Sequence, residues 1–316
     1  MKIALLGTGF GQAHAAVYAT RADVEVTVFG RRPEALRPLA DRYGFATTTD
    51  LDSVFADPAV ELIDVCLPTG LHPDTVLRAL DAGKHVLTEL PLATDMALAK
   101  RVTDAARAGD RQVFVDMYDR FLPANQLLFD AVASGRYGRL RHLAVDLATA
   151  LLWPGVDIGP EQIALDMMHG DIDVIVQTLG APATLDITAT ASGPATAVVD
   201  AILGYPDATA RCCACSLMPM PYGARGGYRA TFTDAVLTAT FTHGFDGKPT
   251  TTVSTCTADG EETTQLPDAD PYAAMIDHVL ACLRGRATNR IAPDSVLNAL
   301  AVTLDIDAVV NPHSAG

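Results

Sequence analysis

Lysine is scarce in this chain of 316 residues: only Lys2, Lys84, Lys100 and Lys248 occur. The 23 basic residues face 38 acidic ones, for a net charge of −15. That balance excludes general nucleic-acid binding, which needs a basic surface to displace counterions from phosphates. No run of about 18 apolar residues is present, so no membrane-spanning helix is expected. The apolar start, Met1-Lys2-Ile3-Ala4-Leu5-Leu6-Gly7, stops at glycine without a small-residue cleavage site, so a buried strand and a cytoplasmic protein are expected. The six cysteines (Cys66, Cys212, Cys213, Cys215, Cys256, Cys282) form no Cys-x-x-Cys pair beside a histidine. Free thiols and no metal site are expected. Charged residues make up only 19% and hydrophobic residues 49%, a folded composition. The length is about twice the ~150-residue domain prior and predicts two domains.

Short apolar runs alternate with amphipathic stretches through the first third of the chain. Strands are expected at residues 2–6, 24–29, 45–46, 62–67, 85–87 and 113–117, with helices at 12–19, 33–43, 51–56, 73–82 and 95–108. Such alternation implies right-handed parallel crossovers and a doubly wound parallel sheet ending near Tyr118. Beyond it, helices are expected at 123–133 and 162–179, with a strand at 140–148 between them. From Ala183 to Gln265, Thr, Ala and Val alternate between turn glycines, which reads as a large, mostly antiparallel sheet. Helices return at 271–283 and 294–310. The fold class is therefore α/β: a Rossmann domain over residues 1–118 and an α+β domain with an open sheet over 119–316.

Gly7-Thr8-Gly9-Phe10-Gly11-Gln12 follows the first strand and opens a helix. In that context glycines let backbone N–H groups approach a pyrophosphate. The third glycine comes one residue earlier than in G-x-G-x-x-G. An NAD-binding fold usually ends its second strand in a carboxylate for the ribose 2′-hydroxyl, but here Phe29-Gly30-Arg31-Arg32 offers two guanidiniums suited to a 2′-phosphate. NADP is the expected cofactor, with NAD the alternative.

Further on, Leu67-Pro68-Thr69-Gly70-Leu71-His72 is followed by a helix and then by Ala82-Gly83-Lys84-His85-Val86-Leu87-Thr88-Glu89-Leu90-Pro91. This resembles the Gfo/Idh/MocA (glucose-fructose oxidoreductase/inositol dehydrogenase) family, whose pattern runs from P-x-x-x-H to A-G-K-H-V-x-x-E-K-P. The resemblance implies that Leu67, Pro68, Thr69, His72 and Glu89 line the cofactor site, together with Gly7, Thr8, Gly9, Phe10, Gly11, Arg31 and Arg32. It also implies a homodimer or homotetramer formed through the C-terminal sheet. The family's proton-transferring lysine is replaced by Leu90. Its D-x-x-x-H helix is matched by Asp166-Met167-Met168-His169-Gly170, where Gly170 takes the histidine's place and His169 stands one residue early. Asp119-Arg120-Phe121-Leu122-Pro123 resembles the family's R-R-F-x-P stretch. The loop Gly7-Thr8-Gly9-Phe10-Gly11 also resembles that of the thiazolinyl imine reductases, which reduce C=N.

The expectation is an NADP-dependent oxidoreductase passing a hydride between nicotinamide and a small carbonyl, hydroxyl or imine substrate. On a helix Asp166, His169 and Asp173 would share one stripe. Asp166 would orient substrate, and His169 or Tyr118 would handle the proton, since Tyr118 follows a strand at its carboxyl end. The alternative is a nucleotide-binding regulator, or a nonredox lyase or cyclase, on the same fold. Trp153-Pro154-Gly155 and the Met218–Gly223 loop are candidate borders of an apolar substrate pocket, or else core packing and loop anchors.

Overall fold

A computed structural model describes residues 1–150, 158–243 and 249–312; Trp153-Pro154-Gly155 lies outside the described residues. The chain divides into two units, Met1–Tyr118 with Asp270–Leu297, and Asp119–Ala269 with Asn298–Gly316.

In the first unit, strands β1 (Lys2–Leu6), β2 (Glu25–Phe29), β3 (Ala46–Thr48), β4 (Val60–Val65), β5 (His85–Thr88) and β6 (Val113–Val115) alternate with helices. These are α1 (Gly11–Tyr18), α2 (Pro33–Tyr43), α3 (Leu51–Ala56), α4 (His72–Asp81) and α5 (Met96–Ala108). The strand order is β3-β2-β1-β4-β5-β6, parallel throughout. Ile3, Leu5, Leu62, Ile63, Val86, Leu87 and Phe114 are all fully buried, as expected of a sheet covered on both faces. Local chemistry sets the helix starts. Asp50 accepts from the N–H groups of Asp52 and Ser53 to cap α3, and Asp95 accepts from Leu98 N–H to cap α5.

The second unit holds α6 (Pro123–Ser134), β7 (Leu140–Thr149), α7 (Pro160–Gln162), a π-helical turn (Ile163–Met168) and α8 (His169–Leu179). Seven strands follow: β8 (Thr184–Ala191), β9 (Ala197–Gly204), β10 (Thr209–Cys215), β11 (Ala224–Phe232), β12 (Ala235–His243), β13 (Thr250–Thr257) and β14 (Gly260–Leu266). They form one sheet with β7, ordered β14-β13-β12-β11-β7-β10-β9-β8, in which β7–β10 is the parallel pair. Leu128, Leu143, Ile172, Ile175, Val199 and Cys212 are among the residues that build its core. Strand alternation sends Cys212 inward while Cys213 and Cys215 stay half-exposed, and the six cysteines are free.

Two sequence expectations change. The first concerns the domain division, because α9 (Pro271–Leu283), capped by Asp270, returns to the first unit instead of staying with residues 119–316. Arg21 pairs with Asp277, Arg284 with Asp23, and Tyr272 packs on Phe10. Beyond α9, Val115 N–H of the edge strand β6 donates to Ile291 O at 2.8 Å, and Asn289 Nδ2 donates to Val113 O at 2.8 Å. The sheet edge needs those partners, and no local pattern in the sequence announces them. The chain then ends its described course in α10 (Leu297–Val310). The second change concerns the helix expected at 162–179, whose first part is wound as a π turn, holding more residues per turn than an α-helix.

Candidate active site

The glycine loop between β1 and α1 is shaped by steric necessity. Gly7 has φ +121°, and a Cβ there would stand 2.2 Å from Cys66 O, so only glycine fits. A Cβ on Gly9 would meet nothing within 4 Å, leaving open space above the loop. Helix α1 begins at Gly11, and Phe10 before it provides no side-chain cap, so the first N–H groups of the helix have no capping side chain competing for them. A pyrophosphate fits this cradle: backbone donors, positive helix end, and no side chain in the way.

At the end of β2, a Cβ on Gly30 would lie 2.9 Å from Thr8 Cγ2, which packs the two loops together. Arg31 and Arg32 are both exposed beyond it. The nearest acid to Arg32 is Glu34, 3.8 Å from Nε, with the two side chains 75% and 69% exposed, so the pair leaves the guanidinium available.

Leu67 and Thr69 are half-exposed and Pro68 is exposed at the turn after β4. His72 is not open to a ligand. It is buried, with Nδ1 2.9 Å from Pro91 O and Nε2 2.7 Å from Leu67 O, and burial, against those two carbonyls, pulls its pKa down. Its ring ties the β4 loop to the Glu89-Leu90-Pro91 segment, which makes it a positioning residue for the cofactor loops. Tyr118, past β6, stacks obliquely on Tyr272 with centroids 4.7 Å apart. Tyr272 in turn contacts Phe10 and His14, each at 5.7 Å, so Tyr118 joins an aromatic group beside the glycine loop.

The structure also assembles a cluster that the sequence reading missed. His14 Nδ1 lies 2.8 Å from Asp64 Oδ2 and its Nε2 lies 2.8 Å from Asp116 Oδ2, with Glu89 Oε1 3.5 Å from Nε2. Tyr18 donates to Asp64 Oδ2 at 2.7 Å, and the Cys66 thiol donates to Asp64 Oδ1 at 3.5 Å. Burial opposes a charge on His14, but the carboxylates outweigh it and raise its pKa well above the usual value. Burial, then Asp116's charge, pushes the Glu89 carboxyl well up; burial raises Asp116 as well. The available signal was an acid inside each of two apolar runs, Leu62-Ile63-Asp64-Val65 and Val113-Phe114-Val115-Asp116-Met117. His14, Cys66 and Glu89 also bring ligand atoms within 4.8 Å of one another, a grouping the expectation of no metal site did not include. Both His14 nitrogens are, however, engaged by carboxylates.

In the second unit, the three residues expected on one stripe part company. Asp166 lies within the π turn, which advances by less than the about 100° per residue of an α-helix, while His169 and Asp173 lie on α8 beyond it. Asp166 is half-buried, and burial followed by the charge of Asp307 raises its carboxyl. His169 is buried, with Nδ1 2.9 Å from Thr303 Oγ1, and burial together with Arg120 brings its pKa down to about 4. It is neutral at pH 7. Asp173 receives Arg120 Nε and Nη2, each at 2.7 Å, in a buried bidentate pair. The space at Gly170 is taken: a Cβ there would stand 2.1 Å from Asp119 Oδ2. An acid from the segment before α6 thus sits against the position that holds histidine in the resembled pattern. Burial raises Asp171, one residue further, to about 7. In the Met218–Gly223 loop, Met220 is exposed and Arg225 lies over the Tyr222 ring at 4.4 Å.

Residues 1–117 match the family model GFO_IDH_MocA, described as an oxidoreductase family with an NAD-binding Rossmann fold. Over residues 1–117 the chain is thus similar to this family. Among curated relatives, 4-carboxy-2-hydroxymuconate-6-semialdehyde dehydrogenase of Sphingobium sp. is 32% identical over 138 residues, 43% of this chain and 44% of that protein. The chain spans less than half the length of the curated relatives it matches. Among solved structures, an oxidoreductase from Agrobacterium radiobacter in complex with NAD+, L-tartaric acid and magnesium gives a TM-score of 0.84 at 16% identity, covering 98% of this chain and 96% of that one. A 3-ketoreductase from Actinomadura kijaniata in complex with NADP and TDP-benzene gives 0.77 at 22% identity, covering 96% and 95%. At such identities the two structures establish the fold: a Rossmann domain joined to a domain with an open antiparallel sheet.

Proposed function

We propose that this chain is an NADP-dependent oxidoreductase of the Gfo/Idh/MocA family, acting on a small carbonyl, hydroxyl or imine compound. The observation that carries the reading is the loop from Gly7 to Gly11, open above Gly9, beside a β2 end that carries Arg31 and Arg32 where a carboxylate would select NAD. Backbone N–H groups at the start of α1 would hold the pyrophosphate, and the two guanidiniums would hold a 2′-phosphate through charge-assisted hydrogen bonds. Bound there, nicotinamide supplies a hydride donor or acceptor. His72 keeps the Leu67 and Pro91 carbonyls in register around that site.

With Leu90 in the lysine's place and His169 neutral and buried, groups besides His169 come forward to handle the proton. Tyr118, at the carboxyl end of β6, and Asp119, against Gly170, are the groups whose chemistry fits. Asp166 would orient the substrate. The names of the relatives, a semialdehyde dehydrogenase and a 3-ketoreductase, support a carbonyl or alcohol substrate over an imine.

Calorimetric titration with NADPH and NADH tests the cofactor reading. NADPH is expected to bind at least about tenfold more tightly, the equivalent of one charge-assisted hydrogen bond of about 1.5 kcal/mol. Arg31→Ala with Arg32→Ala should erase the difference. Tighter binding of NADH would overturn it. A second reading, a nucleotide-binding regulator or nonredox enzyme, is favoured by the two replacements at Leu90 and Gly170. It predicts nucleotide binding with no change in reduced-nicotinamide absorbance across a panel of ketones, alcohols and imines.

A further inference from the structure

The buried cluster around His14 has no task in the reading above. Its members come from separate elements: His14 and Tyr18 from α1, Asp64 and Cys66 at the end of β4, Glu89 just past β5, Asp116 just past β6, and the Tyr272 ring from α9. His14, Asp64 and Asp116 are wholly buried, and Glu89 nearly so. The ion pairs of these three acids, among the described residues, are all with His14. One imidazolium cannot balance three carboxylates at this degree of burial, so the cluster must hold protons of its own.

The geometry says where one of them sits. An acid oxygen 2.8 Å from each ring nitrogen suits an imidazolium donating to both sides. Tyr18 and Cys66 donate to Asp64, which keeps that carboxylate as the acceptor of the group. Glu89 Oε1 and Asp116 Oδ2 converge on the same ring nitrogen, at 3.5 and 2.8 Å, and of two carboxyl groups held so close one keeps its proton. Glu89 Oε1 and Asp116 Oδ1 are buried and have no hydrogen-bond partner among the described residues, so either carboxyl has an oxygen free to carry that proton.

The cluster lies at the carboxyl ends of β4, β5 and β6. In a doubly wound sheet of this order, that half receives the second mononucleotide of a dinucleotide. We propose that the His14–Asp64–Glu89–Asp116 cluster is a proton store linked to the charge of the bound nicotinamide. It releases the proton shared by Glu89 and Asp116 to solvent when the oxidised, cationic ring is bound, and holds it when the ring is reduced and neutral. The proposal rests on the nicotinamide reading. One O–H bond breaks, one proton passes to water, and no electron moves within the cluster. Because binding of the oxidised form releases a proton, its affinity rises with pH, while that of the reduced form stays level.

Calorimetry of dialysed protein in buffers of different ionisation heat counts the protons exchanged on binding NADP+ and NADPH. Pyrophosphate and 2′-phosphate are common to both, so the difference between them belongs to the ring. The expected difference is up to about one proton, with NADP+ affinity rising by up to about tenfold per pH unit. Glu89→Gln and Asp116→Asn should each erase it, and retained NADPH binding shows that the variant is folded. Should one variant fail to fold, the other decides. Equal proton counts for the two nucleotides, or a difference untouched by the substitutions, overturns the proposal and leaves the cofactor reading standing. Failure of both nucleotides to bind overturns that reading, and the proposal with it.

Discussion

Replacing Arg120 with methionine isolates the energetics of the second unit. Arg120 is 7% and Asp173 0% exposed at the side chain, and two donors reach the carboxylate at 2.7 Å. Methionine fills much of the volume but leaves the buried Asp173 without its cationic partner. Breaking a buried pair from one side costs about 3–5 kcal/mol. With a urea m-value of about 2–3 kcal/mol/M, the unfolding midpoint should fall by roughly 1–2 M. The pH dependence carries a sign. Burial raises the Asp173 carboxyl even with Arg120 present, and removing Arg120 raises it further. A carboxyl raised on folding is penalised only where the unfolded chain would ionise it, above about pH 4. The deficit of Arg120→Met should therefore be largest near neutrality and shrink on acidification. Adding Asp173→Leu should recover most of the loss, because an apolar pair replaces an orphaned charge. Urea melts followed by circular dichroism at pH 7 and pH 4.5 check all three. A loss below about 1 kcal/mol at pH 7, or one independent of pH, would refute the reasoning.

His169, held neutral with a pKa of about 4 against the usual 6.5, stabilises the fold above pH 6.5 and loses that contribution as pH falls toward 4. The window corresponds to about 3 kcal/mol, so His169→Gln should flatten the acid limb of a stability profile by that order. Gly7→Ala forces a Cβ against Cys66 O at φ +121° and should abolish nucleotide binding, with an unfolding penalty of about 2–4 kcal/mol. Tight binding by that variant would show that the loop is not the cradle. Gly170→Ala displaces the Asp119 carboxylate and should lower kcat at least about tenfold with nucleotide affinity unchanged. Unaltered turnover there would remove Asp119 from the site.

The pattern of the chain displayed what is local. The alternation from Lys2 to Val115, the glycine loop and the Gly30-Arg31-Arg32 strand end all fell where periodicity and turn chemistry place them. Sheet content between Ala183 and Gln265 was likewise legible, since Thr and Val alternation survives any strand order. What escaped was nonlocal. His14, Asp64, Glu89 and Asp116 lie on or just past four elements; His14, Asp64 and Asp116 each alone read as an isolated polar residue, and Glu89 only as a residue lining the cofactor site. The π turn at Ile163–Met168 leaves no mark in hydrophobic spacing, yet it interrupts the α-helical spacing between Asp166 and His169. Nor does any motif show Asp119 occupying the room beside Gly170, because the two are neighbours only in the folded unit.

Return of α9 to the first unit bears on how the chain is made. Ribosomal synthesis delivers β1 to β6 first, while Tyr272, Asn289 and Ile291 emerge only after every strand of the second sheet. Until then β6 presents an unpaired parallel edge, and Phe10 and His14 lack the ring that covers them. Such an edge is a template for pairing with another nascent chain. Expression of residues 1–118 alone should accordingly yield an aggregating, open-edged sheet. A circular permutant that brings 270–297 ahead of β1 supplies the missing cover at the start of translation.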